Sequence, residues 1–300
     1  MKNSKILLTT VLRSSIINDI HGEIFLVDIN NLKTERIFKW DNTNIDLKGR
    51  GSGRGLRGIS FYKNKTYIAS VNSILVFNKK LNFIREIKNK NINGIHEIDI
   101  FDDKLYITST MIDSIIIYDL KNERFITGIH IPSGIIYDPN NFNTFKYKDS
   151  IHLNNVFNKN GKIYFSCLKN NKLRFIENNK IYNYCEIPAG THNVKILDND
   201  NILFNYTKKN EIVIINKNNK RLKKYIINNS DIDYFIDIDN EKIARPNFGR
   251  GLTFNDKFIY GGSSPATISI YNWDNKRPIK KINIHNNIRY AIHGLEFFPY

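Results

Sequence analysis

Cysteine is nearly missing: Cys167 and Cys185 are the only two in 300 residues. So few exclude a disulfide framework and point to a reducing, cytoplasmic setting. Both fall on what read as the second and fourth strands of one antiparallel unit, about 10 Å apart by strand spacing and beyond disulfide reach. Long apolar runs are missing too. Hydrophobic residues make up 41% of the chain, but they come in runs of four to seven, too short to span a membrane as a helix. Alanine is scarce and helical periodicity of useful length is absent, which leaves strands as the dominant element. The opening Ile6-Leu7-Leu8 run behind Lys2 and Lys5 has the outline of a short signal peptide, yet the repeat described below needs a strand there.

Recognisable catalytic signatures are also lacking. There is no Ser-His-Asp spacing, no nucleophile elbow and no HExxH, so no nucleophile is named. The net charge of +16 invites a nucleic-acid reading. However, the lysines are spread through Asn/Lys turns such as Asn218-Asn219-Lys220-Arg221, and no RNA- or DNA-binding signature accompanies them. An AT-rich genome explains the excess of Asn, Lys and Ile more simply, so nucleic acid is not an expected partner and neither is a membrane.

What is present is a repeat. Six segments share a cation followed by apolar residues two and four positions later: Arg57-Gly-Ile-Ser-Phe61, His96-Glu-Ile-Asp-Ile100, His152-Leu-Asn-Asn-Val156, His192-Asn-Val-Lys-Ile196, Arg250-Gly-Leu-Thr-Phe254 and His293-Gly-Leu-Glu-Phe297. Only Asn154 breaks the first apolar position. The spacings of 39, 56, 40, 58 and 43 residues give a period near 40 with two insertions, which is the length of a propeller blade. Three more strand-like runs follow within a period, for example Lys104 to Thr108, Ser114 to Tyr118 and Arg124 to Ile129. The last unit stops after one strand, Arg289 to Phe297, while the N-terminus supplies three: Lys5 to Leu12, Glu23 to Asp28 and Thr34 to Trp40. Together they make a sixth blade and remove two open sheet edges. The expectation is an all-β, six-bladed β-propeller of four-stranded antiparallel blades, closed by its N- and C-terminal strands, forming one domain over residues 1–300.

Four motifs, His96-Glu-Ile-Asp-Ile, Ile151-His-Leu-Asn-Asn, Thr191-His-Asn-Val-Lys and Gly249-Arg-Gly-Leu-Thr-Phe, occur in that order over roughly residues 55–265. In them the chain resembles an uncharacterised bacterial β-propeller family, a domain of unknown function. The resemblance implies the fold and no established activity. Ile292-His-Gly-Leu departs from the family pattern, so it lends His293 no support.

Function is therefore read from the repeated cation. Four of the seven histidines and two arginines hold equivalent positions at the start of each blade's first strand, where a propeller brings its copies to one channel mouth. A buried structural histidine also fits that strand parity, but no Trp-Asp motif recurs to partner it, and arginine replaces histidine at Arg57 and Arg250. His96, His152 and His192, from consecutive blades, are candidate ligands for a divalent transition metal with an open position. Arg57, Arg250 and His293, with Arg50 and Arg54 of the Gly49-Arg-Gly-Ser-Gly-Arg-Gly55 loop, are candidates for binding a small anionic molecule. The insertions Pro132 to Asp149 and Asn229 to Pro246 are candidate lids, the second acidic through Asp231, Asp233, Asp237 and Asp239. Glu97, Asp99, Glu296 and Tyr290 are candidate acid-base groups. The expected function is binding of an anionic metabolite at an axial pocket, with metal-dependent lyase, hydrolase or epimerase chemistry as its enzymatic form. A non-catalytic scaffold for a protein partner is the alternative.

Overall fold

Short apolar alternations and tight turns divide the described residues into twenty-five strands and two single-turn 3-10 helices. The structure, a computed structural model, describes residues 4–15, 20–41, 55–141, 145–237 and 245–300. Asparagine and aspartate do much of the cutting. Lys63-Asn64, Asp102-Asp103, Asn160-Gly161 and Asn178-Asn179 all have positive φ and close two-residue hairpins, the backbone that matches the twist of paired strands.

The strands form six antiparallel sheets, and the fold is a six-bladed β-propeller. One blade combines both ends of the chain: β25 (Tyr290–Phe297) pairs with β1 (Lys5–Leu12), followed by β2 (Gly22–Asp28) and β3 (Thr34–Trp40). Ile6 lies opposite Phe297 and Leu12 opposite Tyr290, so the closure expected from the repeat count is present. The next blade holds β4 (Ile59–Tyr62), β5 (Lys65–Ala69), β6 (Ser73–Asn78) and β7 (Phe83–Lys88). It is followed by β8 (Ile98–Phe101), β9 (Lys104–Ser109), β10 (Ser114–Asp119) and β11 (Arg124–His130), to which the insertion adds β12 (Ile135–Tyr137) as a fifth, outer strand. Then come β13 (Leu153–Lys159), β14 (Lys162–Cys167), β15 (Asn170–Glu177) and β16 (Lys180–Glu186). The remaining blades are β17 (Thr191–Ile196), β18 (Ile202–Tyr206), β19 (Glu211–Ile215) and β20 (Arg221–Ile226), and β21 (Leu252–Phe254), β22 (Phe258–Ser263), β23 (Thr267–Asn272) and β24 (Lys280–Asn283). Cys167 and Cys185 sit on the second and fourth strands of their blade as free thiols. No helix among the described residues is long and apolar enough to cross a membrane.

Two compact units divide the chain: Met1–Arg57, Phe204–Ile214 and Leu222–Tyr300 form the first, and Gly58–Leu203 with Ile215–Arg221 the second. Each has its own core of facing blades. In the first, Ile6, Leu8 and Val27 pack with Tyr260, Ile268 and Ile292. In the second, Ile74 and Val76 meet Ile98, Leu105 and Ile107, while Ile115 meets Val156 and Phe165. Most of these side chains are fully buried, each worth about 1.5–3 kcal/mol relative to exposure.

Candidate functional site

Five of the six repeated cations lie within two residues of the start of the first strand of their sheet, while His293 stands in the middle of β25; three fall in each unit, Arg57, Arg250 and His293 in the first, His96, His152 and His192 in the second.

In the second unit the segment just before each histidine supplies its partner. His96 Nδ1 lies 2.8 Å from the Gly94 carbonyl and 2.8 Å from Thr110 Oγ1. The Thr110 hydroxyl gives its one proton to the Leu153 carbonyl at 2.6 Å. Both neighbours of Nδ1 are therefore acceptors, which places the proton on Nδ1 and the lone pair of the neutral ring on Nε2. His152 Nδ1 donates to Asp149 Oδ2 at 2.7 Å, and Lys169 Nζ braces Asp149 through its carbonyl at 2.6 Å. His152 holds a left-handed backbone, φ 55°, a conformation that costs a non-glycine residue energy and needs surrounding contacts to persist. Its ring meets that of His96 edge-on at 4.7 Å. His192, almost fully buried, points Nδ1 at the Gly190 carbonyl 3.2 Å away.

All three imidazoles thus have Nδ1 turned to an acceptor, the orientation in which Nε2 accepts a proton or binds a cation. Among the described residues, though, no group of three or more His, Cys, Asp or Glu side chains is placed to hold a metal ion. The first long insertion ends on the His152 partner: Asp149 closes it, and Lys148 N bonds the Met111 carbonyl at 2.7 Å.

The first unit fills the same repeat position with arginine twice, at Arg57 and Arg250, and with His293 once. Thr9 ties two copies together, donating to the Arg57 carbonyl at 2.6 Å and accepting from Gly294 N, next to His293, at 2.8 Å. Gly55, where the glycine-rich run ends, has φ 98°, and a β-carbon there would come within 2.6 Å of Val11. Only glycine lets the chain enter Arg57 at that distance from β1. Arg50 and Arg54 lie outside the described residues.

Around Phe248 the charges gather. The guanidinium carbons of Arg13 and Arg250 each stand 4.4 Å from the Phe248 ring centroid, and that of Arg245 stands 5.4 Å away. Arg250 Nη1 bonds Thr207 Oγ1 and, at 3.2 Å, the Gly249 carbonyl; its Nε has no hydrogen-bond partner among the described residues. Arg245 bonds Asn210 Oδ1 at 2.5 Å and the Thr207 carbonyl at 2.7 Å. Every one of these acceptors is neutral. Burial, then the like charges of Arg13, Arg57 and Arg245, push Arg250 well below the usual arginine range. Burial and Arg245 bring Arg13 down to about 10. Arginine keeps its proton in proteins, so these shifts express first the cost of burying the guanidinium groups and then the repulsion among them, and a bound anion would offset the second part.

Two carboxylates of the acidic insertion have basic partners. Asp231 pairs with Lys281, and Asp237 with Arg289 Nη1 at 3.0 Å. The same Arg289 donates from Nε to the Arg13 carbonyl at 2.9 Å and from Nη2 to the Ser14 carbonyl at 3.0 Å. Asp239 lies outside the described residues. Of the acid-base candidates, Glu97 accepts from Asn193 Nδ2 at 3.1 Å, Asp99 accepts from Asn158 N at 2.5 Å and Glu296 accepts from Thr253 Oγ1 at 3.2 Å, while Tyr290 stacks on His285 at 3.8 Å.

Sequence reasoning missed Arg13, Arg245, Phe248 and Arg289. The stretch Arg245-Pro-Asn-Phe-Gly-Arg250 carries a signal, an aromatic between two arginines, but Arg13 sits in a turn outside the repeat.

The fold and these positions define a six-bladed propeller whose repeated cation takes two chemical forms. No family model matches the chain, and no curated relative matches it. Among solved structures it is similar to a protein of unknown function from Bacteroides caccae, at 11% identity over 98% of both chains with a TM-score of 0.60. It is also similar to a chain of the nidogen/laminin complex, at 8% identity over 97% of both chains with a TM-score of 0.60. Virginiamycin B lyase from Staphylococcus aureus aligns at 18% identity over 82% of this chain and 75% of that one, with a TM-score of 0.45. At these identities the first two likenesses show the fold alone.

Proposed function

We propose that the protein binds a small anionic ligand through Arg57 and Arg250, with Arg13 and Arg245 completing the site. One observation carries the reading: the charges acting on Arg250 are those of three other arginines, and the hydrogen bonds of Arg245 and Arg250 given above all end on neutral atoms. Arginine recognises oxyanions through forked hydrogen bonds, and Phe248 supplies an apolar face that holds the guanidinium groups. The test is thermal unfolding of the wild type and of Arg57→Met and Arg250→Met, with acetate, sulfate or phosphate against chloride at equal ionic strength. The expected result is a Tm rise of several degrees in the wild type that both variants lose, since a ligand stabilises only the state it binds. No oxyanion-dependent shift in the wild type would refute the reading.

A protein-interaction scaffold is the second reading. Adjacent Phe83 and Ile84 on β7 are 50% and 45% exposed, and the nidogen chain of the same fold was solved in a complex with laminin. That reading is left standing if no anion binds.

A further inference from the structure

We propose that the ligand of the arginine cluster carries a phosphate monoester, a dianionic phosphoryl group; this rests on the anion reading above. Two features of the site select it. The first is direction: Arg13 comes from the connection between β1 and β2, Arg57 from the segment before β4, and Arg245 and Arg250 from the segment before β21. A carboxylate offers two oxygens in one plane, enough for one forked arginine. A phosphoryl group offers three oxygens arranged as the corners of a tetrahedron and so receives donors from several stretches of chain at once.

The second feature is charge. Arg250 meets the like charges of Arg13, Arg57 and Arg245, and the hydrogen bonds given above for Arg245 and Arg250 end on neutral oxygens. A monoanion offsets one cation. A phosphate monoester carries about −1.5 to −2 at neutral pH and offsets nearly two. Arg250 Nε, buried and without a hydrogen-bond partner among the described residues, is a donor that such an oxygen would take up.

Calorimetric titration of the full-length protein at fixed ionic strength tests this, with inorganic phosphate, glycerol 3-phosphate, citrate and acetate as probes. The expected order has both phosphates binding at least about tenfold tighter than acetate, a difference of about 1.4 kcal/mol. Glycerol 3-phosphate affinity should rise between about pH 5.5 and 7.5 as its second proton, near pKa 6, is lost. Arg250→Met should lose at least about tenfold in phosphate affinity. Arg250→Lys keeps the charge, guards against a folding artefact, and should restore only part of the affinity. Acetate or citrate binding as tightly as phosphate, or phosphate binding that ignores pH, overturns the phosphoryl assignment and leaves the anion reading intact. No binding of any probe removes both.

Discussion

The three histidines of the second unit and Arg250 of the first treat one repeat position in opposite ways. In the second, a short ring reaches back two or three residues to an acceptor in its own segment: His96 to the Gly94 carbonyl, His152 to Asp149 and His192 to the Gly190 carbonyl. In the first, the long Arg250 side chain reaches Thr207 in another blade and meets three more cations. The repeat fixes where the cation stands. The length of the side chain and the segment in front of the strand fix whether it meets an acceptor in its own segment or one in another blade.

That difference extends to the termini. Arg13 follows β1, and Thr9 on β1 holds both the Arg57 carbonyl and Gly294 N, so the closing blade also frames the arginine cluster. Deleting Met1 to Trp40 removes three of that blade's four strands and bares the edge of β25. The largest effect expected is therefore loss of cooperative unfolding and aggregation of the product, followed by light scattering and circular dichroism. A soluble, cooperatively unfolding truncation would show that the first unit does not depend on closure.

A smaller effect separates the two kinds of site directly. Asp149→Asn takes away the carboxylate that accepts from His152 and should cost about 1–3 kcal/mol in urea unfolding. Arg250→Met removes a cation from among cations and should change stability by less than about 1 kcal/mol in anion-free buffer, or raise it. The reverse pattern, a silent Asp149→Asn and a crippling Arg250→Met, would break the comparison. Elemental analysis of the same samples tests the metal expectation. Bound transition metal that falls in His96→Ala, His152→Ala and His192→Ala would give the histidines a coordinating role, with Nε2 as the ligating atom.

Much of this architecture is legible in the amino-acid sequence alone. The motif that recurs six times, its period and the unequal ends define the propeller and its closure, because strand parity and blade length are local, repeated properties. His96, His152, His192, Arg57, Arg250 and His293 are readable for the same reason. Asp149 is legible only as the end of an insertion, since nothing in the sequence says that it turns to His152 Nδ1. Arg13 and Arg289 are further removed: their contacts join residues 276 and 275 apart, and one chain without its pairing gives no sign of them. Acidity alone suggests the second insertion as a cap on the basic ring, but gives no sign that Asp237 meets Arg289, which in turn grips the backbone of Arg13 and Ser14.

The smallest effect concerns two histidines outside the repeat, one in each unit. His130 stacks on Phe145 at 4.1 Å, and burial lowers it from the usual 6.5. His285 stacks on Tyr290 at 3.8 Å, and burial, then the Arg36 charge, lower it as well. Geometry agrees at His285: Asn287 N donates to its Nδ1 at 3.3 Å, a bond that protonation of that nitrogen would forfeit. Because the folded values lie below the unfolded value of 6.5, the unfolded chain takes up protons first as the solution is acidified. The contribution of each neutral ring is therefore present above pH 6.5 and is lost as pH falls through the folded value. Urea unfolding between about pH 7.5 and 5.5 should show a shallower loss of stability in His130→Gln and in His285→Gln than in the wild type. Carboxylates titrate alike in all three proteins and cancel in the comparison. With one histidine in each unit, the effects should add in the double variant; a double variant no shallower than either single one would mean that the two units do not respond to protons independently.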